Sequence, residues 1–561
     1  MYHQVLDPVA HSLAWSSLVA AMPLLLLFVL LGVLRVTAWV AALISLAVAI
    51  IIAIAVYHMP VAQALLAGSE GAAFGFFPIL WIVINAIWVY NLTVASGHFD
   101  VLRRSFERVS DDRRIQAIII AFCFGALLEA LAGFGTPVAI TSVMLIALGF
   151  KPLKAAVLAL TANTAPVAFG AMATPIITLG KVTAMPSGTL GAMVGRQTPI
   201  LSLFVPLALV AIVDGRRGLR QTWPVAVICG LVFGLAQYAT SNFISVPLAD
   251  VVASLLSAAA VVLLVRVWRP RESYTEPAVI AGGAADEPTP QFAARASGAA
   301  SGPASGPASG ADTRADVVKA YAPYVIIIAV FVICQIPAVK RLLDKATFKF
   351  QWPGLHVLNP KGKPVALTEF THNLLTTPGT QMLVAGVLTM FVLGLSVPRA
   401  LRAYATTLQQ LRWAIVTVMA VLALAFVMNA SAQTITLGTW MAAAGGLFAV
   451  LSPILGWLGV AVTGSDTSSN SLFGALQVTA ANKAGLSPVL MAASNSSGGV
   501  LGKMISPQNL AIAAAAVGHH GKEGDIFRRV VVWSLVFLAL MCVLAALQSS
   551  DVLSWMVPSH R

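Results

Sequence analysis

The hydrophobic positions of this chain fall in long unbroken runs, without the regular polar stripe of a soluble helix or the alternation of a half-buried strand. About 20 mostly apolar residues suffice to cross a bilayer. Such runs recur at 13–33, 38–57, 74–95, 115–132, 197–213, 223–241, 246–267, 320–337, 379–396, 411–428 and 529–547. The intervals 134–195 and 429–515 are also apolar, but glycine, proline and hydroxyl residues cut them into pieces. The pattern predicts an all-α polytopic membrane protein of about 12 to 14 membrane segments, some of them interrupted or re-entrant.

The interruptions repeat. In NTAPVAFGAMATP, residues 163–175, the landmarks Asn163, Gly170, Met172 and Pro175 have the same spacing as Asn495, Gly502, Met504 and Pro507 in NSSGGVLGKMISP. Between these stretches the composition shifts to Ala, Gly, Ser and Pro over 268–318, including SGPASGPASG at 301–310, which reads as a flexible cytoplasmic linker. The expected organisation is a first membrane half, 1–267, with interrupted motifs at 125–137 and 163–175, and a second, 319–561, with motifs at 463–477 and 495–508. Two halves with broken hydrophobic segments at corresponding places suggest a secondary transporter built from two pseudo-repeats, with its binding site at the breaks. Irregular backbone at membrane depth is tolerated only where it is buried or lines a wet cavity, and freed helix N-termini suit a carboxylate. The plainer alternative is a proline kink with close glycine packing.

Composition agrees with a lipid environment: 58% hydrophobic and 10% charged residues, against about 25% charged in soluble domains. The net charge of +13 does not indicate nucleic acid, because the basic residues sit in short loops. Arg103, Arg104, Arg108, Arg113 and Arg114 lie in 96–114; Arg216, Arg217 and Arg220 in 214–221; Arg399, Arg402 and Arg412 in 397–412; and Lys522, Arg528 and Arg529 in 516–529. Basic loops face the cytoplasm, which puts both termini outside, the linker inside and the loop 338–378 outside. The first apolar run follows Asp7 without a basic leader and reads as a retained span. Cys123, Cys229, Cys334 and Cys542 occupy separate runs and read as small core residues.

Charges inside the runs carry the candidate chemistry. Glu129 lies about 15 residues beyond Arg114, roughly 22 Å along a helix, and an acid at that depth is a candidate proton carrier. Thr463, Ser465, Asp466, Thr467, Ser468, Ser469 and Asn470 form a polar cluster in which Asp466 is a second proton candidate or a helix cap. Lys503 stands where the first half has Ala171 and breaks the repeat. Its ammonium would take a substrate carboxylate, or pair with Glu129 or Asp466. Asn163, Thr164, Gly135, Asn495 and Ser496 complete the expected binding set, Arg196 reads as a snorkelling, gating or ion-pair residue, and Met172 and Met504 as packing.

No P-loop, G-x-S-x-G or H-E-x-x-H signature occurs, and no histidines have metal-ligand spacing. The expectation is therefore no cofactor, no metal and an ion gradient as driving force. A sodium-coupled carboxylate carrier, using Asp466, serines and unwound carbonyls, competes with a proton-coupled one. A channel, or a membrane-embedded enzyme with Ser465 or Ser468 as nucleophile, is a more distant alternative.

FCFGALLEALAGFGTPVAI, LTANTAPVAFGAMATPI, GWLGVAVTGSDTSSNSLFGALQ and GGVLGKMISPQNLAIAAAAVG resemble hallmark segments of the bacterial L-lactate permease family, as do the opening LDPVAHSLAWSSLVAAMPLLLLFVLLG and RRIQAIIIAFCFG. The resemblance runs in order over most of the chain; the linker at 270–316 and the loop 338–378 depart from it. It implies an inner-membrane symporter importing lactate, and 2-hydroxy acids such as glycolate, together with protons.

Overall fold

The computed structural model describes residues 2–107, 109–133, 135–274, 313–519 and 523–558. Most of the linker, with the run 301–310, lies outside the described residues, as do Arg108 and Lys522. The described chain is almost wholly helical. Ten helices are long and apolar enough to cross a membrane, or eleven when a bent pair is counted as one span. The runs 197–213 and 223–241 fall within the helical stretch Ser187–Ile244, which breaks at Asp214 and Gly215. The run 379–396 forms the shorter helix Pro378–Val392, and the fragmented interval 429–515 contains a full-length span, Gln433–Thr463, that hydropathy alone did not separate.

Contacts between distant segments define two faces. Arg114 is fully buried and ties three loop segments together, bonding Asp112 at 2.6 Å, Asp214 at 3.1 Å and the Glu272 carbonyl at 2.6 Å. An arginine that marks topology in the sequence is thus also a structural clasp, its planar fork matching several acceptors at once. Lys154 bonds the Val213 carbonyl on this same face. On the opposite face the loop 338–378 folds into an antiparallel pair, Phe348–Gln351 with Glu369–His372, while Val357–Leu358 pairs with the N-terminal Tyr2–His3. Lys181 bonds the Glu369 carbonyl there. The helical pair Pro152–Ala162 and Val167–Thr183, bent by 64°, therefore crosses from the Arg114 face to the strand face.

Around this broken helix the chain folds back on itself twice. Arg113–Leu131 stops inside the protein, turns through Gly133 and Gly135, both in the left-handed region, and returns as Thr136–Ala147. Its two ends meet on the Arg114 face, where Gly149 lies beside the Arg113 side chain. Phe448–Thr463 likewise stops at left-handed Gly464 and returns as Asp466–Ala484 towards the strand face, passing Leu179 and Val182. A second broken helix runs as Pro488–Gly502, a short turn at Lys503–Ile505, then Pro507–Ala516 beside the first hairpin, with Ile512 against Gly135. Gly456, Gly498 and Gly502 let the helices 448–463 and 488–502 touch backbone to backbone, the packing that small residues permit in lipid.

Candidate functional site

The breaks converge. Glu129, in the last turn of Gly125–Leu131, accepts a hydrogen bond from Lys503 Nζ at 2.5 Å on Oε1 and one from Asn163 Nδ2 at 2.9 Å on Oε2. All three side chains are buried. The acid comes from the first hairpin, the amide from the first broken helix and the ammonium from the second. Gly170 makes room for the carboxylate, since a Cβ there would stand 2.8 Å from Oε1. A buried ion pair must recover the desolvation of two charges through geometry and extra hydrogen bonds, and removing one partner costs about 3–5 kcal/mol.

A second polar network lies alongside. Asp466 Oδ2 accepts from Ser496 Oγ at 2.6 Å and Asn470 Nδ2 at 3.3 Å. Asn470 also donates to the Pro175 carbonyl at 3.2 Å, joining the second hairpin to the first broken helix. Asn495 donates to Asn470 Oδ1 at 2.9 Å and accepts from Gln477 at 3.0 Å. Ser465 caps its helix by accepting from the Ser468 amide at 3.3 Å. Asp466 Oδ1 and Asn163 Oδ1 are buried with no hydrogen-bond partner among the described residues.

Between the networks is a cavity of about 490 Å³, within the ordinary range for small-molecule sites. Glu129, Lys503, Asp466, Ser465, Thr467 and Ser468 line it, together with Gly170 and Thr174. At its other end are Thr37, Trp39, Trp413 and Thr417, with Trp39 and Trp413 stacked 4.9 Å apart. Helix Ala38–Ala55 leads to Tyr57, whose carbonyl is bonded by Tyr2 on the strand face. Its start, and so this end of the cavity, points towards the Arg114 face.

Of the residues singled out in the sequence, Asn163, Asn470, Asn495 and Ser496 support the cavity wall from behind. Thr164 bonds the Thr161 carbonyl, and Ser469 the Gly456 carbonyl. Gly135 supplies the left-handed turn of the first hairpin and packs on Ile512. Arg196 is elsewhere, bonding Asn242 at 3.1 Å and the Met556 carbonyl at 2.7 Å near the C-terminus. Met172 and Met504 are core residues. The tryptophan pair, Thr37, Thr417 and Gln508 were not anticipated; Trp39 and Trp413 look like interface tryptophans in sequence, and only the fold brings them together. No cluster of metal-binding side chains occurs among the described residues.

Residues 16–551 match the family model described as L-lactate permease. The chain is 42% identical over 549 residues to the glycolate permease GlcA of Escherichia coli (strain K12), covering 96% of each. It is 40% identical over 575 residues to the L-lactate permease of Bacillus subtilis (strain 168), covering 99% of each, and 40% identical over 570 residues to that of Escherichia coli (strain K12), covering 100% of each. Likeness to solved structures is lower: 14% identity and a TM-score of 0.45 to Neisseria gonorrhoeae MtrF, over 87% of this chain and 84% of that one. With a multi-pass helical body, a polar cavity at its helix breaks and relatives matched from end to end, the chain belongs to the L-lactate permease family and is a membrane transporter, not an enzyme.

Proposed function

We propose that this protein carries L-lactate and related 2-hydroxy monocarboxylates such as glycolate across the bacterial inner membrane by proton symport, with both termini periplasmic. The names of the relatives support the substrate class. The observation that carries the coupling is the buried Glu129–Lys503 pair on the cavity wall.

Charge bookkeeping gives the mechanism. With Glu129 ionised and Lys503 protonated, the pair is neutral and the empty carrier can reorient. A lactate carboxylate arriving alone would compete with Glu129 for one ammonium and leave a net negative charge in a low-dielectric site, where an unpaired charge is costly. A proton on Glu129 removes that conflict: Lys503 is released to the substrate carboxylate, and the loaded site is neutral again. Substrate or proton alone leaves a charge, so both must bind for the loaded carrier to cross, which is the condition for symport. Ser465, Thr467 and Ser468 offer hydroxyls, and the start of Asp466–Ala484 offers helix-end N–H groups, for the substrate's hydroxyl and carboxylate. Asn163 would hold Glu129 in place in either protonation state.

The two halves are read as an inverted pair. Each supplies a hairpin and a broken helix, the first hairpin rooted on the Arg114 face and the second on the strand face, which suits alternating access around a fixed central site.

The test is uptake of labelled L-lactate into proteoliposomes under an inward proton gradient without sodium. Accumulation above equilibrium that collapses with a protonophore is the expected result. Uptake only on adding sodium would overturn the proton reading and direct attention to Asp466 Oδ1, which has no partner among the described residues.

A further inference from the structure

On the strand-face side of the cavity Phe74, Leu80, Val83, Val418, Leu422 and Phe426 pack into an apolar plug, of which Val83 and Val418 also line the cavity. Two ionisable residues sit in it that the mechanism above does not use. Glu70, on helix Val61–Phe74, has no solvent exposure, and neither of its carboxyl oxygens has a hydrogen-bond partner among the described residues. Its helix is pressed onto Val397–Ala430 at Gly71, where a Cβ would stand 2.8 Å from the Ala423 Cα, so there is no slack for water on that side.

Lys181 lies two turns beyond the cavity-lining Thr174, about 10 Å along the helix. Its ammonium donates to the Glu369 carbonyl at 2.6 Å and lies 5.8 Å from the Phe74 ring and 6.0 Å from the Phe426 ring. Phe74 is one turn from Glu70. Lys181 is the charged group acting on Glu70, while Lys181 itself faces Glu70, Glu369 and Lys349, the last two paired at 3.5 Å. Nearby, the His372 ring lies tilted against Phe77, with the centroids 4.6 Å apart.

A carboxylate buried without any donor is tolerable as a neutral acid and costly as an anion. The ammonium donates to the strand carbonyl, and an ionised Glu70, which it feels electrostatically without a hydrogen bond, would compete for it. We propose that Glu70 is a second proton-binding site, distinct from Glu129, and that it controls the strand-face closure through Lys181. When Glu70 is neutral, Lys181 stays on the Glu369 carbonyl and pins the strand pair over the plug. When Glu70 is ionised, it draws the ammonium away, the strand pair is released and water reaches the carboxylate. The closed state holds the proton more tightly than the open one, so by linkage acid favours closure and alkali favours opening.

This inference rests on the carrier reading, but its test needs no substrate. In a cysteine-free background, Thr178→Cys places a thiol between Thr174 and Lys181 at a fully buried position, and a membrane-impermeant maleimide is applied to intact cells and to inverted vesicles. Lys361→Cys, in the loop next to the strands, identifies which preparation exposes the strand face. From that face, the labelling rate of Thr178→Cys, taken as for every variant here relative to that of the exposed Lys361→Cys thiol so that the pH dependence of thiolate formation cancels, is expected to rise by about tenfold per pH unit, as one linked proton allows. Glu70→Gln, which mimics the neutral acid, should label slowly at both pH values. Lys181→Met, which lacks the clasp, should label fast at both, so the reading does not depend on one variant. Labelling indifferent to pH in the parent protein, or faster in Glu70→Gln, would overturn the proposal even if lactate uptake proved proton-driven. A sodium-driven carrier with pH-dependent labelling would overturn the coupling mechanism and leave this site standing.

Discussion

The two broken stretches share their sequence landmarks but not their backbone. At 171–173 the first runs through three consecutive left-handed residues, Ala171, Met172 and Ala173, with φ of 43°, 57° and 60°. At Lys503–Ile505 the second makes an ordinary right-handed 3₁₀ turn. Left-handed backbone at a non-glycine residue costs about 1–2 kcal/mol, and such strain persists only where surrounding packing imposes it. The asparagines diverge as well: Asn163 donates to Glu129, whereas Asn495 is held between Asn470 and Gln477. One stretch therefore receives the acid and carries the strain, while its partner presents the base. Two stretches with matched landmarks thus serve opposite sides of one charge pair.

The largest expected effect comes from removing the base. Lys503→Met should abolish proton-driven lactate accumulation, a loss of at least about 100-fold, because Glu129 is left as a buried anion at a cost of about 3–5 kcal/mol. Adding Glu129→Gln should recover thermal stability but not accumulation, and parallel melting and uptake measurements separate the two. Next, Glu129→Gln alone should lose gradient-driven uptake yet retain counterflow exchange of labelled for unlabelled lactate. Loss of both would show that the acid is structural.

The matched glycines sharpen the contrast on a smaller scale. A methyl at Gly502 would meet the Trp457 carbonyl and the Ala461 amide nitrogen at 2.8 Å, both backbone, so Gly502→Ala should destabilise by about 1–3 kcal/mol in a thermal melt. A methyl at Gly170 meets the Glu129 side chain instead, so Gly170→Ala should change the pH profile of uptake more than the melting temperature. The smallest effect is expected from Ala171→Gly. Relief of the left-handed strain would favour it, while the extra chain entropy of glycine partly offsets the gain. A net stabilisation of up to about 1 kcal/mol should follow in a thermal melt.

Much of the site was legible because charges and breaks inside apolar runs stand out against their surroundings. Glu129, Asp466 and Lys503 are visible for that reason alone, and the sequence offered Glu129 as one of the partners for Lys503. It could not choose between Glu129, Asp466 and substrate, since the pair is separated by 374 positions and joined only through packing. Glu70 shows the opposite case. The apolar run begins at 74, so Glu70 reads as its polar flank, yet the helix starts at Val61 and carries it into the interior. Arg114 was read as a basic loop residue because a local pattern does not reveal that Asp112, Asp214 and the chain near Glu272 fold around it.

By itself the sequence determined that the chain lives in lipid, that its helices break at two matched places and that a few charges lie deep, because hydropathy and backbone propensity act over a turn or a span. The tertiary structure alone decided which hairpin faces which broken helix, which charge meets which, and where the cavity opens. Those outcomes depend on contacts between distant segments, where the cost of leaving a buried charge or polar group unpaired selects the partner.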